Sequence, residues 1–171
     1  MYHVDERDSV VELRDVPRAN IGAPCPAVMA AEHRLDLVYL VSEPDPKWDG
    51  TYINVVSPTT EGRLVARIRF DRPYAHLFGP PNDEAFSGHP LASRGLGPHR
   101  AWEVHDSSWL RALEEMNSVH PYHRTAAFAE LRHFVFAFHD TTFECIATSY
   151  HCHLERGSVA VVAAARPADW E

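Results

Sequence analysis

The sequence predicts an α+β fold, mostly antiparallel β-sheet with one or two helices packed on one face. Three observations carry this expectation. Leu64, Ala66, Ile68 and Phe70 alternate with Arg63, Val65, Arg67 and Arg69, the period-2 pattern of a strand with one packed and one wet face. Strand-like runs precede and follow a helical segment, instead of alternating with helices as in a parallel sheet. No glycine-rich turn joins a strand to a helix, so the dinucleotide-binding fingerprint is missing.

Taken in order, residues 1–24 form a polar lead-in with a short strand at Val10–Leu13, and prolines with Gly22 punctuate the chain from Pro17 to Pro26. Ala27–His33 and Leu35–Val41 read as a first hairpin, since Leu35, Leu37, Tyr39 and Val41 mark one face. Glu43–Gly50 is a loop, Thr51–Ser57 a strand rich in Tyr, Ile and Val, and Arg63–Phe70 the clearest strand. Residues 79–100 then form a long irregular loop crowded with glycine and proline. It far exceeds the usual connection of about 4–6 residues, and loops of that length are often functional.

Ala101–His105 is a short strand. Asp106 or Ser107 caps a helix over Ser108–Val119, in which Trp109, Leu110, Leu113, Met116 and Val119 form an apolar stripe at helical spacing. A second helix covers Ala126–Leu131. Arg132–Phe138 and Thr142–Ser149 pair through a tight turn, with Phe134, Phe136 and Phe138 on the core side and His133, Val135 and Ala137 opposite. Ser158–Ala165 closes the chain as one more strand.

The 171 residues suit a single domain. An apolar fraction of 45% with 23% charged residues is ordinary for a folded chain. A net charge of −8 argues against nonspecific nucleic-acid binding, which depends on neutralising phosphates. Lys47 supplies the only ammonium side chain, so the positive charge is otherwise arginine, scattered without a basic run. Three cysteines leave an odd thiol, and the charged N-terminus has no apolar core; both point to a reduced, cytoplasmic setting. The longest apolar stretch, Val159–Ala165, is too short to span a bilayer, so no membrane role is expected.

Twelve histidines provide three places where chemistry could reside. His151 and His153 share one face of a strand and could reach one divalent metal, although no third ligand is fixed by spacing and a wet strand face is the simpler explanation. In the long loop, Asn82, Asp83, Glu84 and His89 could orient a substrate or hold a divalent ion, with Arg94 as a further ligand-binding candidate; Asn and Asp also serve simply as turn formers. At the late hairpin, His139, Asp140 and Glu144 pair imidazole with carboxylate, although Asp140 could merely start the turn. Were the loop to fold over that hairpin end, His89, His139, Asp83, Glu84, Asp140 and Glu144 would form one catalytic pocket. Trp48 is the aromatic expected to be exposed for contacts.

Nucleophile elbows, zinc-binding helices and cysteine quartets are absent. Beside a metal-binding module built on His151 and His153, two functions remain. One is a binding or accessory domain that presents a polar loop pocket to a small molecule or protein partner. The other is a small enzyme using His/carboxylate acid–base or metal-assisted chemistry at residues 82–89 and 139–144. An exposed sheet edge would also permit a homodimer.

Overall fold

The alternating strands assemble into two stacked antiparallel sheets instead of one. The computed structural model describes residues 2–44, 51 and 55–165. Its strands are β1 (Ser9–Glu12), β2 (Ala27–Ala31), β3 (Arg34–Leu40), β4 (Arg63–Asp71), β5 (Ala75–Gly79), β6 (Ala101–His105), β7 (Arg132–Ala137), β8 (Thr142–Ala147) and β9 (Ser149–Gly157). Its helices are α1 (Ser108–Asn117), α2 (Thr125–Phe128) and α3 (Val159–Ala164). Sheet I has the order β1-β6-β7-β8-β5 and sheet II the order β2-β3-β4-β9.

The core between the sheets follows from the strand period. Leu35, Leu37 and Tyr39 of β3, with Ala66, Ile68 and Phe70 of β4, meet Phe134, Phe136, Phe143 and Cys145 of sheet I. Phe70 is the hub: its ring lies 5.5–6.0 Å from the rings of Phe134, Phe136 and Phe143, within the range of favourable aromatic pairs.

Each sheet is also covered on its outer face, which the alternation in β4 does not foretell. Val38, Leu40 and Val65 pack under Val159 and Val162 of α3. Arg67, on the face expected to be wet, is buried; it pairs with Asp36 at 3.3 Å and donates to the carbonyls of Val162 and Ala165. On sheet I, Val104, Val135 and Ala137 lie beneath Phe86, Leu91 and Leu96 of the 79–100 loop and beside Tyr2, Val4 and Val10. The loop therefore supplies a second apolar layer. This double covering explains why Leu35–Leu40 and Thr142–Ala147 are buried without interruption.

Several local expectations change. The helices do not share one face, because α1 packs against β7 whereas α3 packs on sheet II. Residues 158–165 form a helix because Ser158 accepts the Val161 N–H at 3.3 Å as its cap. Val159 and Val162, three residues apart, then face the sheet. The preceding residues 149–157 are an edge strand of sheet II, and β5, unmarked by any clear alternation, forms an edge of sheet I beside β8. Helix α1 ends at Asn117 and buries only its start: Trp109 is buried, Met116 is 64% exposed, and Val119, beyond the helix, is 87% exposed. The Thr51–Ser57 strand falls partly outside the described residues, and Val55–Ser57 carry no strand. Among the described residues, no helix is long and apolar enough to cross a membrane.

Candidate functional site

The long loop is fixed to the end of the β7–β8 hairpin. The Asp83 N–H donates to the His139 carbonyl at 2.9 Å, and the Thr142 hydroxyl donates to the Pro81 carbonyl at 2.9 Å. Two 3₁₀ turns, Phe86–Gly88 and Ala92–Arg94, give it internal bonds. The second ends at Gly95, whose φ of +93° suits glycine. This anchoring sorts the expected site residues into two separate sets.

The first set is walled in. Strand alternation in β8 turns Glu144 to the outer face of sheet I, where its carboxylate receives three donors. His89 Nε2 lies 3.2 Å from Oε1, His133 Nε2 3.0 Å from Oε2, and the Tyr2 hydroxyl donates to Oε2 at 2.5 Å. The Leu91 N–H donates to His89 Nδ1 at 3.1 Å, so in the neutral ring Nε2 carries the proton and donates to Glu144. Burial opposes ionisation of Glu144, yet the hydrogen bonds from His133 and His89 prevail and hold its pKa down to about 2. A buried carboxylate is tolerated here because every oxygen is satisfied.

Ser107 extends this network. Its Oγ sits 2.9 Å from His133 Nδ1 and accepts the Leu110 N–H at 3.2 Å as the cap of α1. Hydroxyl, imidazole and carboxylate thus follow in the order of a nucleophile relay. What separates it from one is access. His133 has no exposed surface and is enclosed by the rings of Trp109 and Tyr2, centred 5.1 and 5.6 Å away. An imidazole so enclosed cannot hand a proton to a leaving group. Its role here is to bond Glu144 of the sheet to Ser107 at the start of α1.

The second set lies at the surface. Asp83 Oδ2 accepts from His139 Nδ1 at 2.7 Å and lies 3.1 Å from His99 Nε2, and the two imidazoles stack with centroids 6.3 Å apart. Its hydrogen bond to Asp83 raises the His139 pKa above the ordinary value, and the same bond lowers that of Asp83. Asp140 is exposed and 3.9 Å from His139 Nε2, and Glu84 acts on His139 only as a weak distant charge.

The remaining expectations resolve more plainly. Asn82 accepts the Ala85 N–H at 3.0 Å, a turn-forming role. Arg94 is exposed at the end of its 3₁₀ turn. His151 and His153 do lie on one face of β9, but His151 pairs with Asp71 at 2.9 Å. Among the described residues no group of three His, Cys, Asp or Glu side chains converges to hold a metal. Trp48 lies outside the described residues. The single catalytic pocket anticipated from His89 and His139 does not form: one ring is buried against Glu144 and the other stands at the surface on Asp83. Residues of β8 alternate, so Glu144 and Thr142 at the hairpin point beneath the loop, not toward its rim.

Beside the surface set is a feature that the sequence does not announce. Residues 13–20 cross from sheet I to sheet II: the Leu13 N–H bonds the Ala101 carbonyl at 2.9 Å, and the Asn20 N–H the Leu40 carbonyl at 2.8 Å. Under this crossing lies a cleft of about 440 Å³, within the size range of small-molecule sites. Val16, Tyr39, Phe136 and Phe138 form its floor, and Arg14, Arg18, His99, Arg100 and Glu12 its rim. The Tyr39 hydroxyl is committed to the Pro17 carbonyl at 2.7 Å, and Glu12 to Arg100 at 3.1 Å. Arg7, Arg67, Arg69, Arg72, Arg111, Arg132 and Arg156 all meet carboxylates elsewhere. Arg14 and Arg18 meet none among the described residues; the same holds for Arg63, Arg94 and Arg124, but those do not line the cleft. The one legible sign was compositional, two arginines closely spaced in a proline-bearing segment, and it is indistinguishable from solvated surface without the fold.

No protein-family model matches the chain, and no match was found among curated proteins or solved structures.

Proposed function

We propose that this protein is a binding domain that takes a small molecule into the cleft between its two sheets. One observation carries the reading: the cleft is already open, with an apolar floor made from core aromatic side chains and two rim arginines that meet no carboxylate among the described residues. Preformed concavities that set a few convergent polar groups around apolar side chains are the usual form of ligand sites. The frame supports it, since Tyr39 and Phe136 of the floor lie on paired strands and the crossing segment is tied to both sheets.

The acid–base residues favour binding over catalysis. Glu144, His89 and His133 satisfy one another out of reach of any ligand. A second, catalytic reading rests on Asp83, because it joins His139 to His99 on the cleft rim. Turnover of a bound ligand that stops in Asp83→Asn would favour that reading.

The test is amide chemical-shift mapping of isotope-labelled protein exposed to a mixture of small organic acids, alcohols and amines. The expected perturbations centre on Val16, Tyr39, Phe136 and Phe138 and disappear in Ala19→Trp, which fills the cleft. Perturbations centred elsewhere, or unchanged in Ala19→Trp, contradict the reading.

A further inference from the structure

Resting on that reading, we infer that the ligand has one anionic head on an apolar body, the head held by Arg14 and Arg18 and the body lying along Tyr39, Phe136 and Phe138. The rim has unmet capacity. In a chain of net charge −8, two arginines without carboxylate partners among the described residues stand at the mouth of one cleft. The rim acid cannot answer them, because Glu12 is engaged by Arg100. Guanidinium groups offer forked donors that match carboxylate or phosphate oxygens in pairs. The floor has the opposite character. Its one hydroxyl, on Tyr39, already donates to Pro17, so a polar ligand body would lose water without gaining a partner. The volume of about 440 Å³ fits a small amphipathic anion and is too small for a folded partner's surface.

The experiment titrates the full chain, by amide shifts, with octanoate, octyl phosphate, octanol and octylamine at equal ionic strength. One of the two anions is expected to bind at least about tenfold tighter than octanol, with octylamine weaker still, and the tighter anion names the head group. The double variant R14E/R18E, whose changes fall on exposed side chains, should lose about tenfold or more in anion affinity while octanol binding stays unchanged. If octanol or octylamine binds as tightly as the anions, or R14E/R18E leaves anion affinity intact, the anionic head is wrong although the cleft still binds. If none of the four compounds perturbs the cleft, both the head and the binding reading fall.

Discussion

His89 puts its Nε2 3.2 Å from Oε1 of Glu144, a residue 55 positions further along the chain. With neither residue exposed beyond 3%, this contact holds the irregular loop down as a second layer on sheet I. The buried network is therefore a structural keystone, and its consequences are thermodynamic.

Acid should loosen the molecule through Glu144. Its folded pKa of about 2 lies below the ordinary 4.5, so its contribution is complete above pH 4.5 and is lost as pH falls toward 2. The loss is of order 3 kcal/mol by linkage. Urea unfolding as a function of pH should show this decline in the wild type, and Glu144→Gln should be less stable at pH 7 while lacking that part of the acid sensitivity.

Tyr2 contributes a ring and a hydroxyl that can be separated. The ring stacks on Trp109 at 5.5 Å, and the hydroxyl donates to Glu144. Tyr2→Phe should cost about 1.5–3 kcal/mol, the worth of a hydrogen bond to a charged group. Tyr2→Ala should cost more. Equal losses in denaturant midpoints would show that the hydroxyl accounts for the whole effect and the ring for none.

The His139 imidazole should titrate above 6.5 in the folded protein, because its bond to Asp83 favours the charged ring. Asp83→Asn should return it to the ordinary value, as followed by imidazole proton shifts. The sign for stability is opposite to that of Glu144: this contribution is full below 6.5 and fades as pH rises through the raised pKa.

Phe70→Ala should be among the most damaging apolar truncations, at about 3–5 kcal/mol. Its ring touches Phe134, Phe136 and Phe143 across the sheets, so a cavity there separates the two layers. Thermal or chemical denaturation reads the loss.

Much of the fold was legible because period-2 alternation survives wherever one face differs from the other. The β2–β3 hairpin, β4, β6, β7 and β8 lie close to their expected positions, and the α+β class holds. Sequence could not reveal that both outer faces are covered: Arg67 reads as wet, yet α3 supplies carbonyls that satisfy it. In the same way the buried state of Glu144 was hidden, because its partners Tyr2 and His89 come from distant segments, as does Ser107, which bonds His133 behind it. The cleft was invisible for the same reason, since Arg14 and Tyr39 become neighbours only once residues 13–20 bridge the sheets.

The most direct measurement is a crystal structure of the protein soaked with the tighter-binding octyl anion. Density for the chain over Tyr39, Phe136 and Phe138, with the anionic head between Arg14 and Arg18, is the predicted result. An empty cleft under conditions where solution binding is saturated, with the anion seated elsewhere, would contradict the account.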